Sequence, residues 1–287
     1  MTRLAHAAIA TATLTLATAG AQAITLVGLT SAHELARIDT GNTAAATTTA
    51  ITGLASGDRL VGIDLRPKDG KIYGISLSNK LYTLDEMSGV ATQVAVLATP
   101  VVQAGLGYGI DFNPVADFGT GASLRLVSSA GGNFAINATS GAVTTATAIA
   151  SGTTAVAYTN STAMPAAAPA STALYYINSG SDMLLTASSG FNNPVITAVG
   201  PLGLDALKAN GFEITNGMGY AALNMDDGTL GTGIYSISLT SGGATLLGNY
   251  NGTLSGLTVS AVPEPQTVAM MLAGLMAVGA LARRRSA

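Results

Sequence analysis

Residues 60–97 read LVGIDLRPKDGKIYGISLSNKLYTLDEMSGVATQVAVL. The stretch contains four short β-like segments, at 60–65, 71–77, 80–85 and 90–97. In the second segment Ile72, Gly74 and Ser76 alternate with Tyr73, Ile75 and Leu77, the period of a strand. Between the first two, Pro67-Lys68-Asp69-Gly70 reads as a tight turn, because proline presets one φ and glycine accepts a positive one.

The same unit recurs along the chain. A hairpin-closing glycine returns at Gly41, Gly89, Gly141, Gly190 and Gly242. A short strand headed by a small residue returns at Gly62-Ile63-Asp64, Gly109-Ile110-Asp111, Ala155-Val156-Ala157, Gly211-Phe212-Glu213 and Gly256-Leu257-Thr258. Both markers give five units of 45–56 residues. Four strands per unit at this period is the pattern of a β-propeller. The first unit starts at Ile24 with what reads as a second strand, and the strand at 256–259 has no unit after it. The expectation is an all-β, five-bladed propeller closed by pairing of the C-terminal strand with the N-terminal blade, which removes two open edges. An elongated solenoid or sandwich is the alternative. The Ala/Pro-rich run STAMPAAAPAST at 161–172 reads as a mobile inserted loop, and 204–210 as a single helical turn.

The two ends read as addresses. Residues 1–23 carry Arg3, an Ala/Thr/Leu-rich segment and a small-x-small site at Ala21-Gln22-Ala23, the layout of a secretory signal peptide. Val262-Pro263-Glu264-Pro265 precedes an apolar run at 267–282, and Arg283-Arg284-Arg285 follow. As a helix at ~1.5 Å per residue that run covers ~24 Å, just short of a full hydrocarbon core. The arginines would stay cytoplasmic. The tail (262–287) resembles the PEP-CTERM sorting signal of Gram-negative bacteria. That resemblance implies a membrane protease, the exosortase, as partner, alongside signal peptidase. It also implies a transient membrane anchor and delivery to the cell surface or extracellular matrix.

The body between them, 24–261, also resembles a family. Residues 60–85, the GIDFNP motif at 109–114, VGPLGL at 199–204 and the stretch 233–248 are similar to the bacterial secreted family called domain of unknown function 4394. The resemblance implies a propeller-like fold and carries no activity. This chain departs from the family pattern after Pro114, where Val115 to Gly121 intervene before Leu124-Arg125-Leu126.

Composition narrows the chemistry. There is no Cys, so disulfides, thiolate nucleophiles and Cys-based metal sites are excluded. Two His, His6 and His33, leave little material for a His-based metal site or a Ser–His pair. A net charge of −3 and a pI near 5.2 argue against nucleic acid as a partner. Charged residues make up 9% and aromatics 5%, so the core must be built from small and β-branched side chains.

Asp64, Asp111 and Glu213 share one repeat position on three inner strands, with Tyr158 and Thr258 at or next to it on the other two. Carboxylates converging on a channel suit a hard cation such as calcium, or a pair of acids for glycoside cleavage. Repetition at a scaffold position favours a structural role instead, each carboxylate accepting backbone N–H bonds. No metal ligand set and no confident catalytic residue follow. Asp226-Asp227-Gly228 and Asp85-Glu86 read as solvated turns, and His33 as a surface residue at a strand end. Arg59, Arg66, Lys68 and Lys71 form a local basic cluster that reads as a solvated face or a contact for acidic polysaccharide. Tyr73, Tyr82, Tyr175, Tyr176, Tyr220 and Tyr235 read as packing between blades. The favoured role is a non-catalytic binding or structural protein at the cell surface. A glycan-active enzyme using channel carboxylates, or a lectin-like sugar binder, is the alternative.

Overall fold

The computed structural model describes residues 23–261, apart from 122, 208–209 and 226–230. Among the described residues, twenty strands form five four-stranded antiparallel sheets. Blade two is β4 (Leu60–Leu65), β5 (Ile72–Ser76), β6 (Lys80–Leu84) and β7 (Ala91–Val96). Blade three is β8 (Tyr108–Phe112), β9 (Leu124–Ser128), β10 (Asn133–Ile136) and β11 (Val143–Thr145). Blade four is β12 (Thr153–Tyr158), β13 (Leu174–Asn178), β14 (Met183–Ala187) and β15 (Thr197–Pro201). Blade five is β16 (Gly211–Thr215), β17 (Met218–Asn224), β18 (Thr232–Ile237) and β19 (Ala244–Tyr250).

Blade one closes the ring as expected. Its outer strands β1 (Thr25–Thr30), β2 (Glu34–Asp39) and β3 (Asn42–Ala50) come from the N-terminal end of the domain, and its innermost strand β20 (Leu254–Val259) from the other end. β20 runs antiparallel to β1, with Leu26 opposite Val259 and Gly28 opposite Leu257. The inner strands then touch in a circle: β4, β8, β12, β16, β20 and back to β4. A solenoid or open sandwich does not produce this circuit.

Three of the five hairpin glycines, Gly89, Gly141 and Gly242, are fixed by this packing. Gly89 and Gly141 have φ of 71° and 74°. A Cβ on either would sit 2.1 Å from a carbonyl oxygen of the preceding blade, Ala50 or Val96. Only glycine satisfies both the left-handed turn and the close approach.

Apolar burial is divided into five clusters, one at each blade interface. The cluster between blades two and three holds twelve buried residues, including Tyr73, Tyr108 and Phe112. The one between blades three and four holds six: Val127, Val156, Tyr158, Leu174, Tyr176 and Ala187. Of the tyrosines expected between blades, Tyr73, Tyr82 and Tyr176 are buried, and Tyr175, Tyr220 and Tyr235 are half-buried.

Two local expectations differ from the structure. The insertion at 161–172 leaves blade four after β12 and is docked on blade two. The Met164 N–H donates to the Pro67 carbonyl at 2.7 Å, and Ala163 packs against the apolar cluster between blades one and two. The segment therefore crosses the ring face on which the inner strands end. Around 204–210 the described residues form no helical turn; Ala206 makes an isolated antiparallel bridge to Met225, a pairing supplied by blade five. The signal peptide and the whole PEP-CTERM-like tail, with Ala21, Val262, Pro263, Glu264, Pro265, Arg283, Arg284 and Arg285, lie outside the described residues; Ala23 is the first described. Among the described residues, no helix is long and apolar enough to cross a membrane.

Candidate functional site: a buried carboxyl triad and an unpaired arginine

The shared repeat position does bring Asp64, Asp111 and Glu213 together. One carboxylate oxygen from each lies within 4.8 Å of those of the other two. Their exposures are 3%, 1% and 2%. On the opposite side the channel is closed by the small residues heading the inner strands. A Cβ on Gly109 would lie 2.7 Å from Ala155 Cα, and one on Gly211 2.4 Å from the Leu257 nitrogen. The void left there, lined by Gly62, Gly109, Gly211 and Gly256, is about 10 Å³. That is about the space of one water.

Four of the five side chains at this position serve the next blade. The Phe112 N–H donates to Asp64 Oδ2 at 2.7 Å, and the Tyr158 N–H to Asp111 Oδ1 at 2.9 Å. The Val259 N–H donates to Glu213 Oε2 at 3.4 Å, and the Leu65 N–H to Thr258 Oγ1 at 2.9 Å. In blade four the position is Ala157, which has nothing to offer. The orphaned Ile214 N–H is taken instead by Glu213's own Oε1 at 2.9 Å. Glutamate rather than aspartate at 213 thus spans two duties, covering its own blade and the next.

The hydrogen count favours a protonated carboxyl. Thr258 Oγ1 lies 3.0 Å from Asp64 Oδ1 and 2.8 Å from Glu213 Oε2, yet a threonine hydroxyl carries one hydrogen. If it donates to one carboxylate, the other must donate to it. The electrostatics agree. Burial pushes Asp64 well above the usual carboxylate range, and the Glu213 charge pushes it further. Burial does the same to Asp111, followed by the charges of Asp64 and Glu213. Burial also raises Glu213, against hydrogen bonds led by Thr258 that lower it. Three carboxylates this close and this dry cannot all ionise. They could supply three oxygens to a hard cation, which ordinarily takes six to eight. As a glycosidase pair they lack both the separation and an open approach.

The other candidates disperse. Arg59 and Arg66 sit at opposite ends of β4, so the basic cluster is not one patch. The Arg66 guanidinium donates to Asp117 Oδ1 at 2.8 Å, and its Cζ lies 5.5 Å from the Tyr73 ring centroid. Asp117 belongs to the insertion after Pro114, where a 3₁₀ turn (Ala116–Phe118) forms. Asp85 caps its turn, accepting the Ser88 N–H at 2.7 Å. Glu86 is not in a solvated turn: it is buried against Arg37 and accepts the Ser260 hydroxyl at 2.6 Å, because blades one and two close over it. His33 lines a cleft of about 210 Å³ with Arg59 and Tyr108. Asp226 and Asp227 lie outside the described residues.

Sequence reasoning missed Arg125. It lies on β9 directly opposite Asp111 on β8, and it is 5% exposed. Its guanidinium donates to Asn133 Oδ1 at 2.8 Å, Asn192 Oδ1 at 2.9 Å and the Tyr158 hydroxyl at 3.4 Å, all neutral. The described ion pairs join Arg37 to Glu86 and Arg66 to Asp69 and Asp117; none includes Arg125. Its signal was available: β9 reads Leu-Arg-Leu-Val-Ser and is buried throughout, and a charge in a doubly buried strand needs partners.

The family described as Domain of unknown function (DUF4394) matches residues 34–258, and the chain belongs to it. No curated protein matches the chain in sequence. Among solved structures it is similar to a calcium-binding protein, regucalcin, from Agrobacterium tumefaciens (15% identity, 77% of this chain and 68% of that one, TM-score 0.43). It is also similar to a putative 6-phosphogluconolactonase from Bacteroides uniformis (11% identity, 80% and 83%, TM-score 0.41). A third is BamB from Moraxella catarrhalis (16% identity, 77% and 56%, TM-score 0.32).

Proposed function

We propose that this chain is an exported propeller with a non-catalytic binding or structural role at the cell surface or in the extracellular matrix. A signal peptide (1–23) takes it across the inner membrane, and exosortase processes it behind Val262-Pro263-Glu264-Pro265. The observation that carries the non-catalytic part is the use of the three acids. Asp64, Asp111 and Glu213 are hydrogen-bonded into blade-to-blade contacts and are at most 3% exposed. Export and sorting rest on the sequence of the two ends. The absence of cysteine and the presence of two histidines leave little material for nucleophilic or metal catalysis.

The test mixes the purified protein with the extracellular polysaccharide of the producing cell and follows polymer size by chromatography with light scattering. The expected result is unchanged polymer length with protein co-eluting. Shortening of the polymer with time would overturn the reading in favour of a glycan-active enzyme. Mass spectrometry of the protein from the producing cell tests the sorting step: a chain ending near residue 265 is expected, and one retaining Arg283-Arg284-Arg285 contradicts it.

A further inference from the structure

Arg125 opens on a groove of about 590 Å³ between blades three and four. Asn113, Ala116, Ala135 and Thr144 line one side, and the loop Gly190-Phe191-Asn192-Asn193 the other. We propose that this groove binds a carboxylate-bearing saccharide, such as a chain of uronic acid residues, with Arg125 as the charge that selects it. The inference rests on the non-catalytic binding reading above.

Four observations carry it. First, a guanidinium has five N–H donors, and three of them are matched to neutral oxygens, which leaves two. Second, burying a cation costs several kcal/mol unless an anion compensates it. Arg125 meets no carboxylate within 4.0 Å among the described residues. Third, a second polar group of blade four lacks a partner: the Tyr176 hydroxyl on β13 is buried without a hydrogen bond. Fourth, the lining suits a sugar. Phe191 is half-buried and packs edge-on against Tyr158, ring centroids 5.0 Å apart. Asn192, Asn193 and Thr144 are exposed and offer amides and a hydroxyl to the sugar's hydroxyls. An aromatic side chain, a few polar groups and one unpaired charge make a small-ligand site, and a guanidinium and a carboxylate pair strongly where water is excluded.

The interface itself supports an occupant. It has the fewest buried apolar residues of the five, six against eight to twelve elsewhere. The loop that seals it is held by polar bonds: the Thr147 N–H donates to the Asn192 carbonyl at 2.9 Å, and the Thr147 hydroxyl to Asn193 Oδ1 at 3.0 Å.

The test is isothermal titration of the full-length chain with tetragalacturonate, its methyl ester, sodium acetate and sodium sulfate. We expect the acidic tetramer to bind at least about tenfold more tightly than the ester. We expect acetate and sulfate to be weaker still, and the affinity to fall with added salt. Arg125→Gln removes the charge and should abolish the discrimination, although it also removes a buried donor and can unfold the chain. Asn192→Asp avoids that ambiguity. It keeps the oxygen that Arg125 already contacts, gives it a negative charge, and so supplies the missing counter-ion from within. Its expected result is a thermal midpoint at or above the parent's, with acidic-tetramer affinity reduced at least about tenfold. Equal binding of acid and ester, no binding of either, acetate matching the tetramer, or an Asn192→Asp protein that binds like the parent would each overturn the inference. Tetramer cleavage during the titration would instead overturn the non-catalytic reading.

Discussion

Asp111 and Arg125 stand opposite each other in register, yet they do not pair. Tyr158 comes between them: its backbone N–H is bonded to the acid and its hydroxyl to the base. On the channel side, three acids are buried with no base among them. On the outer side, a base is buried with no carboxylate within 4.0 Å among the described residues. The acids have a solution internal to the fold. Burial and crowding favour their protonated forms, Asp64 and Glu213 share the Thr258 hydroxyl, and all three accept blade-to-blade N–H groups. Arginine has no such exit, because it stays protonated at any pH a protein tolerates. That difference separates a structural latch from the proposed binding site.

The largest expected effect breaks the latch. Thr258→Val removes the acceptor for the buried Leu65 N–H and the shared partner of Asp64 and Glu213. Leaving such groups unsatisfied costs ~1–3 kcal/mol each, so a loss of about 3 kcal/mol is expected in urea unfolding. That corresponds to on the order of 10 °C in the thermal midpoint. A loss below ~0.5 kcal/mol would mean that the triad does not hold blade one to its neighbours.

The next effect has the opposite sign. Asp111→Asn keeps an oxygen for the Tyr158 N–H and removes one ionisable group from the triad. The three acids have raised values in the folded state, so between the ordinary carboxyl value near 4 and those raised values the folded chain binds more protons than the unfolded one. Their stabilising contribution is complete below that window and is lost as pH rises through it. Parent stability should therefore fall from pH 5 to pH 8. Asp111→Asn should be more stable than the parent by about 1 kcal/mol at pH 8 and indistinguishable from it at pH 4. Denaturant curves at the two pH values check this. A variant less stable at both would show that the Asp111 charge is wanted, as it would be beside a bound cation.

The smallest effect concerns the segment that crosses the latch face. Replacing 162–170 by Gly-Ser-Gly removes the Met164–Pro67 bond and the Ala163 contact. A loss of about 1 kcal/mol is expected. A much larger loss would make the insertion part of the core; no loss would mean that its docking is marginal.

Much of this was legible in the sequence. The five-unit period came from turn glycines such as Gly89 and Gly141, held by a left-handed turn and by the close approach of the preceding blade. The closing strand was visible because Gly256-Leu257-Thr258 repeats the inner-strand pattern with nothing after it. The triad was visible for the same reason, one position repeated three times. The use of that position in blade four was not, because Ala157 leaves a gap that only the three-dimensional reach of Glu213 fills. Arg125 and Glu86 stayed hidden because their partners are distant. Arg125 meets Asn192 sixty-seven positions away, and Glu86 meets Ser260 at 174. The Ala/Pro-rich insertion was misjudged because composition records its lack of periodicity and says nothing of the Pro67 carbonyl that receives it.

The central claim is that Asp64, Asp111 and Glu213 are a proton-sharing latch rather than free acids. The most direct measurement is carbon-13 NMR of the side-chain carboxyls from pH 3 to pH 9, assigned with Asp111→Asn. The account predicts that at least one of the three carboxyl carbons keeps the chemical shift of a protonated acid at pH 7. If all three titrate near pH 4, the latch does not exist as described here.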